Sequence, residues 1–132
     1  MKTVLMIIAV AVTFGFSIIK NSSAGTEWIA PKDADNGVNP LKGNAAATEE
    51  GKKTFTQMCA VCHGDKGKGD GIGGLTLTPK PRNFTLAKTQ QQTDGALFWK
   101  LTEGRTPMAS YKDVLTSTQR WQLVNFIRTF KK

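Results

Sequence analysis

Cys59-Ala60-Val61-Cys62-His63 constrains this chain more than any other stretch of it. Two cysteines three apart, with a histidine directly after the second, read as a c-type haem attachment site. The spacing follows from the chemistry. Two thiols about one helical turn apart reach the two vinyl groups of one porphyrin, and the adjacent imidazole lies under the iron as proximal ligand. Competing uses of these residues each lack a part. Structural zinc wants four protein ligands, and the chain holds two Cys and one His in all. A dithiol redox site belongs in a strand-helix-strand setting, and no such pattern is visible. A plain disulfide leaves His63 without a role.

The N-terminus agrees with this reading. Lys2 is followed by an apolar run from Val4 to Ile19, broken only by Thr13, Gly15 and Ser17, and Ser22-Ser23-Ala24 puts small residues at cleavage positions. Residues 1–24 therefore read as a signal peptide, cleaved before Gly25, with the periplasm as destination. The alternative is an uncleaved anchor. The run of 16 residues falls just short of the roughly 17–25 that span a bilayer, and Lys20 follows it directly. No cysteine stands directly after the run to carry a lipid. Cleavage takes 24 of 132 residues and leaves 108, one small domain with a marginal apolar core. A covalently held haem supplies an apolar plate to pack around. It takes the place of the disulfides that small exported domains usually need.

Residues 25–47 read as an irregular leader with Pro31, Gly37 and Pro40. Two readings of it stand: Trp28, Ile29 and Leu41 pack on the domain, or the leader is a flexible tether. The domain proper spans residues 48–132. Thr48 offers an N-cap, with Glu49 and Glu50 in the first turn. This helix runs to about Ala60 and delivers Cys59, Cys62 and His63 at its end. A Gly-rich loop follows to Phe84. Within it Gly69, Gly71 and Gly74 match the dinucleotide-binding fingerprint, which counts only between a strand and a helix; that setting is missing. A second helix is expected over Asp94 to Thr102, begun by Thr93 or Asp94 and stopped near Gly104. A third starts after Thr116, where Thr116 and Gln119 make a capping box, and continues through Phe130 with helical spacing. The aromatics Phe98, Trp99, Trp121 and Phe126 read as core.

A six-coordinate iron needs a distal ligand, and His63 is the only histidine. Met1 and Met6 leave with the signal peptide. Met58 sits beside Cys59, on the wrong side of the ring. Met108 remains, in a Pro107-Met108 loop between two helices, where no helical stripe surrounds it. The expected axial ligands are His63 and Met108, with Cys59 and Cys62 as the covalent haem attachment. A lysine ligand and an open iron site are the alternatives to Met108.

Together, Cys59 to Gly64, Gly69-Asp70-Gly71, Pro107-Met108 and Trp121 to Arg128 resemble a bacterial class I cytochrome c, over about residues 48–131. The resemblance implies an all-α fold, with about three main helices plus loops wrapped round one haem c. It implies crossed N- and C-terminal helices, with Gly51 letting Phe126 approach. It also implies that a proline carbonyl, Pro81 or Pro79, accepts the proton on the outer nitrogen of His63, orienting the ring. Met in place of a second His raises the reduction potential.

Charge bears on partners. The chain has 18 Lys and Arg, and losing Lys2 and Lys20 leaves 16 against 10 acids. Nucleic acid is a poor partner for an exported chain without aromatic-basic interleaving. A redox protein with an acidic docking face fits better, because complementary charge speeds encounter. Lys66, Lys68, Lys80, Arg82, Arg105 and Lys112 flank the loops expected near the haem edge. The sequence thus reads as an exported mono-haem one-electron carrier and not an enzyme. A dedicated haem subunit of a periplasmic dehydrogenase or oxidase complex is the alternative. A haem enzyme or gas sensor with an open iron site stands third.

Overall fold

Ala45-Ala46-Ala47 are strong helix formers, and they carry the first helix one turn upstream of the expected start. A computed structural model describes residues 27–132; the expected signal peptide, residues 1–24, lies outside the described residues. Helix α1 spans Ala45–Met58, and its cap is Asn44, whose side chain accepts from the Ala47 amide at 3.0 Å. Thr48, the expected cap, lies inside the helix and donates its hydroxyl to the Asn44 carbonyl. Asn caps at least as well as Thr, so three alanines ahead of Thr48 decide the matter. Helix α2, Ala60–His63, follows at once.

After the Gly-rich loop come α3 (Ala87–Gln90), α4 (Asp94–Glu103) and α5 (Ser117–Arg128). Short 3-10 helices lie at Lys32–Asn36 and Ile72–Gly74, and the described residues hold no strand. The fold is all-α, as expected. Thr93 caps α4 through the Ala96 amide, and α4 stops at Gly104. Thr116 and Gln119 form the capping box of α5. That helix ends at Arg128 rather than reaching Phe130, whose ring nonetheless packs on Phe55 and Phe126. No helix among the described residues is long and apolar enough to cross a membrane.

Helix α1 buries Ala47, Gly51 and Phe55, one residue per turn on a single face, and lays that face across α5. A Cβ at Gly51 would lie 2.0 Å from the Gln122 carbonyl oxygen and 2.5 Å from its carbon. Only glycine permits that approach. The nearest neighbours of Gly51 are thus α5 backbone atoms of Gln122 and Leu123, while the Phe126 ring sits 5.1 Å from that of Phe55. Leu123 and Val124 on α5 are fully buried behind the crossing.

The leader docks on the domain: Trp28 stands edge-on to Trp99, 6.2 Å between ring centroids, and the 3-10 turn Lys32–Asn36 packs on α4. Asn39 is buried and donates to the side chain of Asn125 at 2.8 Å, while Asn125 donates to the Leu41 carbonyl at 2.6 Å. Gly95 meets the 3-10 turn so closely that a Cβ there would collide with the Ala34 carbonyl. Buried polar groups are costly unless paired. The Asn39-Asn125 pair thus holds the leader in one register, and the tether reading does not describe residues 32–44.

Candidate functional site

Cys59 closes α1 and opens α2. Its amide bonds to the Phe55 carbonyl, and its carbonyl accepts from the amides of both Cys62 and His63, at 3.1 and 2.8 Å. One turn therefore carries both sulfurs and the imidazole. No disulfide joins Cys59 to Cys62. Burial, with Cys62 beside it, pushes the Cys59 thiol up to about 12. Reactive redox thiols have depressed pKa values, so Cys59 lacks their electrostatics.

His63 Nδ1 lies 3.1 Å from the Arg82 carbonyl oxygen. A carbonyl only accepts, so Nδ1 carries the proton and the neutral ring has its lone pair on Nε2. Burial lowers the pKa of the imidazole, against the opposing pull of that carbonyl. Neutral imidazole with a free Nε2 is the ligand form. The acceptor sits one residue beyond the expected Pro81. The Pro81 carbonyl is turned onto Gly69, where a Cβ would lie 2.3 Å from it. The Phe84 ring stacks on His63 at 4.5 Å.

These residues open on a cleft of about 620 Å³, a size typical of small-molecule and cofactor sites. Phe55, Leu97, Leu101, Leu123 and Ile127 supply apolar walls; Cys59, Cys62 and His63 share one side. Met108 lines it from a separate loop. That loop is closed by two backbone bonds, Arg105 N–H to Met108 O at 3.0 Å and Met108 N–H to Arg105 O at 2.8 Å. Met58 lines the cleft too, next in chain to Cys59. The residues present fit a flat apolar tetrapyrrole. Two thiols and an imidazole sit together, a thioether comes from elsewhere, and cations rim the opening.

Of the six basic residues expected at the rim, Lys80, Arg82 and Arg105 line the cleft; Lys66, Lys68 and Lys112 do not. Lys88 and Lys100 line it unforeseen. They lie on α3 and α4 rather than in the Gly/Pro loops, and Lys100 was findable as the neighbour of the cleft-lining Leu97 and Leu101. Burial and the nearby Arg82 charge hold the Lys100 pKa below the ordinary lysine range. Glu27 and Trp28 of the leader line the cleft as well.

Comparisons with known proteins bear on the family, the fold and the cofactor. A family model described as "Cytochrome C oxidase, cbb3-type, subunit III" matches residues 46–127. Among solved structures, a chain of the Kuenenia stuttgartiensis reducing HAO-like protein complex Kustc0457/Kustc0458 is 26% identical, with a TM-score of 0.63 over 70% of this chain. This chain spans 47% of that one. The KustC0563 c-type cytochrome is 34% identical, covers 62% of this chain and 98% of its own, and gives a TM-score of 0.53. Cytochrome CL from the marine methylotrophic bacterium Methylophaga aminisulfidivorans is 18% identical over 75% of this chain and 68% of its own, with a TM-score of 0.54, which speaks for the fold alone. No curated protein matches. Covalent haem c, a class I fold and electron transfer go with that match, and the chain belongs to the cbb3-type subunit III cytochrome c family, as a mono-haem c-type cytochrome.

Proposed function

We propose that this chain holds its haem through thioether bonds at Cys59 and Cys62, with His63 Nε2 and Met108 sulfur as axial ligands, and serves as an exported one-electron carrier. The observation that carries this reading is the His63-Arg82 bond. It leaves Nε2 free on the same wall of an apolar cleft as the two cysteines. The haem, when bound, supplies the one-electron redox change. The chain's own residues do the rest. Arg82 O fixes the tautomer and aim of His63. The apolar walls exclude water, and the Arg105-Met108 turn holds the thioether at a set place in the cleft. A thioether ligand favours ferrous iron and raises the potential.

The proposed setting is the periplasm, with residues 1–24 as the signal peptide. The partners are redox proteins that present acidic docking faces to the basic rim. A second reading, a dedicated subunit of a larger redox assembly, draws on the likeness to a chain of the HAO-like complex. A denaturing gel stained for haem tests the covalent bonds, and the weak red-end charge-transfer band of the ferric protein tests the thioether. Haem that runs off the polypeptide defeats the attachment, and absence of the band defeats Met108. Sedimentation of the native protein in its periplasmic fraction separates a mobile carrier from a resident subunit.

A further inference from the structure

Lys80, Arg82, Lys88, Lys100 and Arg105 line the cleft, and the carboxylate among the lining residues, Glu27, comes from the leader. Lys88 Nζ lies 2.8 Å from Glu27 Oε1, with Arg82 at 3.9 Å from the same oxygen. The Lys88 bond holds the Glu27 carboxyl below its ordinary pKa. The next residue, Trp28, takes Arg105 and Lys100 over its ring, at 5.3 and 5.7 Å from the centroid. Four lip cations are thus engaged by two consecutive residues, a carboxylate and an aromatic ring.

Those contacts are of a weak kind. The side chains of Lys88 and Glu27 are 64% and 47% exposed, and exposed ion pairs contribute little once solvent and salt screen them. Ile29, directly after, is 75% exposed. Further on, the Gly95 contact and the buried Asn39-Asn125 pair anchor the leader. The tip of the leader is therefore held on the rim of the redox site by these charge contacts and by the edge of Trp28 against Trp99, 6.2 Å between ring centroids.

We propose that Glu27 and Trp28 occupy, from within the chain, the surface on which an acidic redox partner docks. The lip recognises a carboxylate beside an aromatic ring, and partner binding exchanges with release of this segment. This rests on the electron-carrier reading. Like charges attract the same cations, so leader and partner compete for Lys88, Arg82, Arg105 and Lys100.

The test uses the mature haem-loaded protein and the double variant Glu27→Gln/Trp28→Ala. Reduced protein is oxidised at low salt by ferricyanide, an anion, and by tris(phenanthroline)cobalt(III), a cation. The ratio of the anion rate to the cation rate is expected to rise on the order of tenfold in the variant, the low end of electrostatic steering. Raising the salt should erase the difference. A peptide Glu-Trp-Ile-Ala-Pro at millimolar concentration should restore the slower ferricyanide rate, and Gln-Ala-Ile-Ala-Pro should not. An unchanged ratio, or an equal gain with both oxidants, overturns the proposal, the latter by showing steric shielding only. Equal effects of the two peptides also overturn it. A parent protein that exchanges electrons with neither oxidant defeats the carrier reading itself.

Discussion

The two sides of the cleft are built by different means. One side is five consecutive residues on a helix end, where Cys59, Cys62 and His63 are placed by a single turn of backbone bonds. The other lining group, Met108, stands 45 positions beyond His63 in the chain, at the end of a turn that its own two backbone bonds to Arg105 close. The first needs only local helix geometry to bring its groups together. The second needs the whole fold, because α4, the 104–116 loop and α5 must pack before that turn reaches the cleft. Damage to the first side should cost the cofactor, and damage to the second should cost only its tuning.

The largest effect is expected from Cys59→Ser/Cys62→Ser. Both thioether bonds are then impossible, and acid-acetone should extract the haem that remains bound. The loss also removes the plate around which a small core packs, so the melting temperature should fall sharply by circular dichroism. Haem that stays with the polypeptide after extraction would mean another residue holds it.

Gly51→Val attacks the frame behind the cysteine side. Any Cβ at that position meets the Gln122 carbonyl, so α1 and α5 must move apart. Overpacking of this kind costs on the order of 1–3 kcal/mol, and the clash with backbone argues for the upper part of that range. Urea melts of the haem-loaded variant measure it. A variant as stable as its parent would mean that the helices do not cross at this point.

How much of this was readable beforehand follows from the same contrast. The motif, the second helix and the Thr116-Gln119 capping box are local patterns, and each stands where the sequence places it. The start of α1 was misread because two good caps, Asn44 and Thr48, lie four apart, and only the alanines between choose. The His63 acceptor was missed by one residue. Which carbonyl of the 79–82 segment turns inward depends on the approach of Gly69 to Pro81, and no local pattern encodes that. The docking of the leader was equally hidden. Asn39 and Asn125 are ordinary polar residues 86 positions apart, and nothing in their neighbourhoods announces a buried pair. Of the rim cations, those on loops were anticipated and those on helices were not.

Met108→Ala tests the remote side and should do less harm. The haem stays attached, the reduction potential falls, and carbon monoxide binds the ferrous protein. Loss of a thioether removes a ligand that favours ferrous iron. Stability should change little next to Gly51→Val, because Met108 is only partly buried against the core. Redox titration and the carbon monoxide difference spectrum give the answer. If both match the parent, the ligand lies elsewhere, and Met58 is the other methionine that lines the cleft.

The smallest effect concerns rate alone and divides the basic surface in two. Lys80 and Lys88 line the cleft, whereas Lys66, Lys68 and Lys112 do not. Exposed charges act on an approaching molecule within a Debye length of about 10 Å at 0.1 M salt. Charge reversal of Lys80 and Lys88 to Glu should therefore slow oxidation by ferricyanide more than reversal of Lys66 and Lys112, although the change in net charge is the same. The potential should stay nearly constant in both, since exposed charges are screened at the iron. Net charge and local charge are thereby separated. Equal slowing by the two pairs would assign the effect to the overall field of the molecule, and the lip would lose its claim to be where electrons enter and leave.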